Sequence, residues 1–360
     1  MLLQVIWFAL VGVLLAGYAV LDGFDLGVGA LYPFLGKSQA DKSVMRKAIG
    51  PVWDGNEVWL LTGGGALFAA FPPVYATVFS GFYLALMLVL FSLIFRAVSL
   101  EFRAHDTAWA GFWDWAFFLG SALPALLFGV AVGNIALGVP LYDGATLVNG
   151  VKMASGEFAG NFFTLLGFTP YGFNALPLCI GVLGLSMFLL QGASWIAVKA
   201  EGPLHDRAAA LGSTLAWVFT ALAVVATGVT ALFAPSAFGN AIKSPIGWLF
   251  LVLLVASIGW GRMAIGSKSD MQVWYAASLS AVSLTGIWAA TIFPALVPSL
   301  KDASGKAFGP ALSITNASSS QLTLTTMLII AIIGVPIVLF YMFLIYKTFA
   351  GKVSAEGEGY

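Results

Sequence analysis

The sequence predicts an all-α, polytopic membrane protein with nine transmembrane helices, its N-terminus outside and its C-terminus in the cytoplasm. Three observations support this fold class. The composition is too apolar for a body folded in water, apolar runs of about 20 residues recur along the chain, and basic residues segregate to one side of those runs.

The composition excludes a water-soluble enzyme. Of 360 residues, 60% are hydrophobic and 9% are charged, and the mean hydropathy is +0.95, whereas globular domains carry about 25% charged residues. Sixteen basic residues balance sixteen acidic ones, so no excess positive charge favours nucleic acid as a partner. The sequence also lacks a phosphate-binding loop motif, which argues against ATP-driven transport by this chain alone.

The apolar runs define the predicted helices. The first run has no basic residues before it and exceeds the length of a signal-peptide core, so we interpret it as a transmembrane helix. Pro72 and Pro73 separate the second run from the third. We expect one integral membrane domain over residues 1–350 and a short cytoplasmic tail at 351–360. The predicted spans are 3–30, 54–71, 74–95, 112–137, 173–198, 208–233, 246–263, 273–297 and 322–346.

The basic residues set the predicted orientation, because Lys and Arg are retained on the cytoplasmic side. Nine alternating spans place twelve of the sixteen on the side of the C-terminus and four on the other side. The twelve are Lys37, Lys42, Arg46, Lys47, Arg96, Arg103, Lys199, Arg207, Arg262, Lys268, Lys347 and Lys352, and the four are Lys152, Lys243, Lys301 and Lys306.

Asp22 and Asp25 are the first candidate functional residues. They are three residues apart and therefore share one helix face. A straight helix over residues 3–35 would be about 50 Å long, beyond the roughly 30 Å hydrocarbon core. Either the helix breaks near the neighbouring glycines or the two carboxylates lie inside the protein. Two functional interpretations stay open: carboxylates facing lipid headgroups, and a proton or cation path lined by protein.

A second acidic cluster begins the second predicted helix. Asp54 followed by Glu57 matches a capping box, with Trp53 and Val58 placed as a hydrophobic staple. The cluster also contains Asn56, and it lies on the same side of the membrane as the Asp22 and Asp25 pair. It is therefore either a helix cap alone or a cap that also takes part in a proton route.

Two further features have structural interpretations. Asp114 stands between Trp113 and Trp115 at a predicted inner helix end, as in an interfacial aromatic belt. The Gly63 to Gly65 run, which favours close approach of another backbone, predicts tight helix packing, potentially against a partner.

Histidine placement argues against a haem or metal site on this chain. The two histidines, His105 and His205, lie in predicted cytoplasmic loops, whereas membrane haems take axial ligands from inside a helix bundle. The single cysteine, Cys179, lies in an apolar segment and is interpreted as a packing residue. The sequence thus predicts no cofactor bound by ligands from this chain.

Motifs along the whole chain resemble one known family, subunit II of the cytochrome bd-type quinol oxidases. The resemblance rests on several separate segments in the right order, which makes it specific. They are WFALVGVLLAGY at 7–18, LDGFDLGVG at 21–29, WDGNEVWL at 53–60, GGALFAAFP at 64–72, FSGFY at 79–83, WDW at 113–115, GVAVGN at 129–134, GNFF at 160–163, QGA at 191–193 and SSQLT at 319–323.

The resemblance implies a respiratory enzyme complex in a bacterial or archaeal cytoplasmic (inner) membrane. In that family a haem-free subunit II pairs with subunit I, which binds b-type and d-type haems, oxidises quinol and reduces oxygen to water. Some members also have a small accessory transmembrane subunit or a structural quinone. Subunit II acids near the interface help conduct protons from the cytoplasm. On the matching positions here, the resemblance implies proton-path roles for Asp22, Asp25 and Asp54, with Trp53, Asn56 and Glu57 as neighbours.

Two alternative functions stay open. A secondary transporter or ion channel would use Asp22 and Asp25 to bind its coupling ion, with the glycine runs marking broken helices. A purely structural scaffold for the haem subunit would keep the partner and give the acids no role in proton transfer.

Overall fold

The computed structural model describes residues 1–148, 151–302 and 304–354, and within them the chain forms thirteen α-helices and six short β-strands. The helices are α1 (Leu2–Leu35), α2 (Gln39–Ile49), α3 (Trp53–Ala70), α4 (Pro72–Gly81), α5 (Tyr83–His105), α6 (Ala110–Leu137), α7 (Phe162–Leu165), α8 (Leu176–Lys199), α9 (Gly202–Phe233), α10 (Pro235–Lys243), α11 (Pro245–Gly266), α12 (Asp270–Ile292) and α13 (Gln321–Thr348). The strands are β1 (Leu147–Val148), β2 (Val151–Lys152), β3 (Phe168–Thr169), β4 (Gly172–Phe173), β5 (Ala295–Val297) and β6 (Leu312–Ser313).

The helical membrane class is confirmed. Among the described residues, eight helices are long and apolar enough to cross a bilayer: α1, α5, α6, α8, α9, α11, α12 and α13. The predicted second span corresponds to α3, which has 18 residues and is therefore about 27 Å long. Asp54, Asn56 and Glu57 lower its mean hydropathy. The count of nine spans and the orientation of the termini stay predictions.

The third predicted span differs from the structure. Residues 74–95 were expected as one helix, but α4 ends at Gly81 and α5 runs from Tyr83 to His105. Helix α5 continues beyond Phe95 because Arg96 and Arg103 form ion pairs with the buried carboxylates of Asp22 and Asp114. These pairs compensate the two positive charges inside the helix bundle. Arg96 is therefore a buried helix residue and does not belong with the loop charges that were counted for the orientation.

Helix α1 is continuous over 34 residues and lies in the middle of the bundle, against α3, α6, α8 and α12. It contacts α8 at a backbone crossing where a Cβ added to Gly27 would overlap the carbonyl of Phe188, and one added to Gly192 would overlap Gly27. Glycine at both positions allows the two helices to meet at backbone distance. This crossing fixes the height of the α1 carboxylates in the bundle.

We expect Gly192→Ala to push α1 and α8 apart and to destabilise the fold by about 1–3 kcal/mol, the usual cost of overpacking. Thermal unfolding of the purified protein in detergent measures the loss. Gly228→Ala is the matched control, because a Cβ at Gly228 would meet open space. Equal melting temperatures for the two variants would show that the crossing tolerates a methyl group.

Among the described residues the apolar core has two large parts and a small third cluster of Leu176, Ala234 and Ala237. One large part surrounds Phe24, Trp195 and Trp274, with the Phe24 and Trp195 rings tilted and their centroids 4.4 Å apart. The other surrounds Trp7 and Phe71 at the opposite end of α1. The buried carboxylates of α1, Asp22 and Asp25, flank Phe24 and therefore lie beside the first part of the core.

The strands lie in the two longest connections between helices. One runs from α6 to α8 and contains β1 to β4, and the other runs from α12 to α13 and contains β5 and β6. The pairs β1–β2, β3–β4 and β5–β6 are antiparallel. Val139 N–H donates to the Pro298 carbonyl at 3.0 Å and Val139 C=O accepts from Leu300 N–H at 2.8 Å, so the connections after α6 and α12 join. The described residues of these connections form small antiparallel hairpins.

Candidate functional site

Asp22 and Asp25 lie inside the protein. Both are 0% exposed, and α1 passes through this point as an uninterrupted helix. Of the two alternatives left by the sequence, the broken helix is thus excluded and internal carboxylates are observed. Because ionisable groups are costly to bury, their local partners decide what they can do.

Asp22 is held by a buried ion pair. Arg96 Nη1 donates to Asp22 Oδ1 at 2.8 Å, and Arg96 Nη2 donates to Glu57 Oε1. The Arg96 side chain is 2% exposed and the Glu57 side chain 23%. One guanidinium thus joins α1, α3 and α5, with charge-assisted hydrogen bonds that are about twice as strong as neutral ones.

Asp25 has neutral partners. Asn56 Nδ2 donates to Asp25 Oδ2 at 2.7 Å and to the Leu21 carbonyl at 3.0 Å, while the Tyr346 hydroxyl donates to Asn56 Oδ1 at 3.0 Å. In the part of the chain that the structure describes, no Lys or Arg forms an ion pair with Asp25. The two carboxyls, one helical turn apart, therefore have different environments.

The cluster contains buried polar atoms without a protein partner: Tyr18 Oη, Asp22 Oδ2, Asp25 Oδ1 and Arg96 Nε. Buried polar groups are normally satisfied, and internal water supplies partners where protein does not. These atoms mark positions where water molecules would complete the network around the two carboxyls.

The charge balance favours retained protons. Asp22, Asp25 and Glu57 face one cation, Arg96, so the fully ionised cluster would carry an excess of two negative charges. A buried excess of this kind is costly, and binding protons relieves it. The arrangement is therefore chemically suited to gaining and losing protons.

The second acidic cluster of the sequence divides in the structure. Asn56 and Glu57 join the buried carboxyls, but Asp54 is exposed and Trp53 packs against the core. The predicted capping box is wrong: Val52 precedes α3 and no side chain caps it. The Arg96 guanidinium binds Glu57 more strongly than a backbone N–H would. Asp54 and Glu57 remain one helical turn apart on α3. Exposed Asp54 and half-buried Glu57 therefore form a series of carboxyl groups from the surface toward the buried pair on α1.

Asp114 and the glycine run also differ from their interpretations. Asp114 is buried and accepts from Lys42 Nζ at 2.6 Å and from Arg103 Nε at 2.7 Å, so it joins α2, α5 and α6 rather than facing an open interface. A Cβ added to Gly64 or Gly65 would meet nothing within 4 Å. The run is therefore not tightly packed within this chain.

Sequence reasoning missed Arg96 and Tyr346. Arg96 follows the apolar stretch that ends at Phe95, and the search for buried charge considered acids alone. A lone arginine continuing an apolar run was the available signal. Tyr346 gave no signal, since a tyrosine near the end of a transmembrane helix is ordinary.

Residues 3–349 match the profile of one protein family, described as Cytochrome bd terminal oxidase subunit II. The chain belongs to this family. It is thus a subunit of a terminal oxidase, which is an oxidoreductase complex, and the resemblance carried by the sequence motifs is confirmed.

Similar proteins agree with this family assignment. The chain is 37% identical to the probable cytochrome oxidase subunit 2 of Haemophilus influenzae, with 98% of this chain and 96% of the relative covered. It is 36% identical to the cytochrome bd-I ubiquinol oxidase subunit 2 of Escherichia coli K12, with the same coverage, and 32% identical to the cytochrome bd ubiquinol oxidase subunit 2 of Bacillus subtilis, with 97% and 96% covered.

The fold has a solved counterpart. A chain in the structure of bd oxidase from Geobacillus thermodenitrificans superposes with a TM-score of 0.75, covering 97% of this chain and 99% of that chain at 15% identity. This chain and the matched chain therefore share one fold.

The two histidines of this subunit II family member lie at helix ends and not among the residues packed inside the bundle. His105 ends α5 on the surface, and His205 lies near the start of α9 between the carboxylates of Asp206 and Asp270, at 3.1 and 3.0 Å. His105 is exposed and His205 is partly exposed, and the described residues contain no group of His, Cys, Asp or Glu able to hold a metal ion.

Proposed function

We propose that this chain is the haem-free subunit of a respiratory terminal oxidase that oxidises quinol and reduces oxygen to water. It supports the haem-bearing subunit I and provides part of the proton path from the cytoplasm. Family membership and relatives named as ubiquinol oxidase subunits support the complex and its substrates. The b-type and d-type haems belong to subunit I, where they supply electron transfer and oxygen reduction.

The same proposal includes nine spans in a bacterial inner membrane, as one domain over residues 1–350 with a short cytoplasmic tail at 351–360. Helix α3, second in chain order, adds to the eight long apolar helices and makes nine spans. The N-terminus of the chain lies outside. Without Arg96, eleven basic residues lie on the cytoplasmic side and four outside. The tail residues 355–360 lie outside the described part of the chain.

The buried Asp25, held by neutral partners alone, carries the proton-path proposal. Asp22 is held in a buried ion pair with Arg96, which compensates its charge. Asp25 is the group that exchanges a proton, since no cation holds its carboxylate. Glu57 and Asp54 continue the acidic series to the surface of α3. Oxygen reduction on subunit I consumes protons, and a route on the cytoplasmic side makes that consumption contribute to the proton-motive force.

Further partners follow from the family. A small accessory transmembrane subunit and a structural quinone are part of the proposal, with the outward-facing Gly64 and Gly65 at a partner contact. The scaffold alternative differs in one respect: it expects the buried acids to be replaceable without loss of turnover. The transporter alternative expects ion flux through the isolated chain.

A reduced-minus-oxidised absorption spectrum of the tagged protein, purified from its native membrane in mild detergent, tests the complex. We expect a larger partner to co-purify with b-type and d-type haem bands. A colourless protein that purifies alone would contradict the oxidase assignment of function.

We expect Asp54→Asn to lower quinol-driven oxygen consumption with the complex still assembled, because the exposed carboxylate ends the acidic series at the surface. The haem spectrum of the purified variant checks assembly. Glu101→Gln, at an exposed position of α5, is the control and is expected to leave turnover unchanged. Full turnover in Asp54→Asn would remove this residue from the path.

A further inference from the structure

A cavity of about 60 Å³ lies at the end of the bundle beside α2 and the last turn of α13. A water molecule needs about 10–15 Å³ of such volume, so the cavity accommodates several. Its walls come from α2, the α2–α3 connection, α8 and the C-terminus. The lining includes Lys47, Pro51, Trp195, Lys199, Tyr346 and Val353.

The outer wall of the cavity is the C-terminal strap, residues 349–353, which is bound to the end of α8. Lys199 Nζ donates to the Phe349 carbonyl at 2.6 Å, and Val353 N–H donates to the Lys199 carbonyl at 2.8 Å. Lys352 Nζ donates to the carbonyls of Ala197 and Ala200 at 2.9 and 3.0 Å. A lysine at the carbonyl end of a helix is favourable, so the strap is held in place.

Tyr346 connects the cavity with the buried carboxyl. Its side chain lines the cavity, and its hydroxyl bonds to Asn56, which in turn bonds to Asp25. Two side chains, one hydroxyl and one amide, thus stand between the cavity and Asp25. The second carboxyl oxygen, Asp25 Oδ1, is buried without a protein partner.

We propose that this cavity is the cytoplasmic proton inlet of the chain and that Tyr346 gates it. The inference rests on the proposed function and adds a route separate from the exposed face of α3. Since an amide does not readily relay protons, the Tyr346 side chain turns away, the Asn56 amide it releases moves aside, and cavity water reaches Asp25. A hydrated proton then transfers to the Asp25 carboxylate and leaves a neutral water molecule.

Basic side chains surround the cavity. Lys47 and Lys199 line it, and Lys352 binds at its rim. These positive groups disfavour a resident metal cation, and a proton that enters along the cavity water crosses the same positive potential before it reaches the acidic groups. The acidic groups that receive it lie deeper, with Asp25 behind Asn56 and Asp22 behind Asp25.

Reversible blocking of the cavity in the intact complex tests the proposal. In a Cys179→Ser background, Val353→Cys and Pro51→Cys place a thiol on opposite walls, the strap and the α2–α3 connection. Each variant is treated with a benzyl or a methyl methanethiosulfonate. Proton uptake is followed with a pH dye during one round of oxygen reduction, beside haem reduction by quinol. Thr348→Cys, exposed on the same end of α13, is the matched control.

In an Asp54→Asn background, which closes the route along α3, we expect the benzyl adduct at either wall to slow the remaining proton uptake by about tenfold or more, the methyl adduct to have less effect, and a thiol reductant to restore the rate. Haem reduction and the Thr348→Cys adduct should be unaffected. Unchanged uptake with both walls modified, in a complex where Asp25→Asn does abolish uptake, would overturn the inlet and leave the proposed function standing. Unchanged uptake in Asp25→Asn as well would overturn both.

Discussion

Asp25→Asn is expected to reduce quinol-driven oxygen consumption by roughly a hundredfold or more, the usual size of a lost proton-transfer group. Asparagine has nearly the volume of aspartate, accepts the hydrogen bond from Asn56 and leaves no cation unpaired, because Asp25 has no ion-pair partner among the described residues. Assembly and haem content should therefore stay unchanged. Oxygen uptake normalised to the haem spectrum measures the effect.

The conservative variant and a surface variant complete this test. Asp25→Glu keeps a titratable carboxyl and should retain far more turnover than Asp25→Asn, whereas Glu101→Gln removes an exposed carboxylate of α5 and should lose none. Turnover of Asp25→Asn at the unmodified level would favour the scaffold function. Loss of haem together with turnover would indicate a folding role instead.

Arg96→Met is the second change with a large expected effect, this time on stability. It removes the one cation from a cluster of buried carboxyls and leaves Asp22 without its ion pair. Breaking a buried pair from one side costs about 3–5 kcal/mol because a charge remains buried without compensation. We expect the complex to accumulate poorly and to melt at a lower temperature in detergent.

A second-site change separates this mechanism from simple loss of packing. If the unpaired carboxylate is the cause, adding Asp22→Asn to Arg96→Met should recover much of the lost stability. Asp22→Asn alone should cost less than Arg96→Met, because Arg96 keeps its contact with Glu57. Equal stability of Arg96→Met and the double variant would show that the ion pair is not what holds α1 against α5.

The sequence was informative about Asp22 and Asp25 because charge inside an apolar run is rare and its spacing on a helix is fixed. Their one-turn separation and internal position are both observed. What spacing cannot give is the set of side chains that meet them from other helices. Arg96 lies 74 residues from Asp22 in the chain, and Tyr346 lies 290 residues from Asn56.

The errors have a common physical origin. The capping box at Asp54 and Glu57 is a local pattern, but a buried guanidinium from α5 binds Glu57 and overrides it. The same guanidinium lets α5 continue past Phe95, where a hydropathy reading ends the span. Asp114 was assigned to the membrane–water interface from its tryptophan neighbours, but it is buried and forms ion pairs with Lys42 and Arg103. In each case a tertiary ion pair changed the outcome of a local rule.

Proton uptake during a single round of oxygen reduction tests most directly whether Asp25 supplies protons to the oxidase. Reduced complex is mixed with oxygen, and a pH dye and haem absorbance are followed together in the unmodified protein, Asp25→Asn and Asp25→Glu. The account predicts that in Asp25→Asn the haems are oxidised up to the first step that needs a proton, and that proton uptake is then slowed by about a hundredfold. Proton uptake at the unmodified rate in fully assembled Asp25→Asn would contradict it.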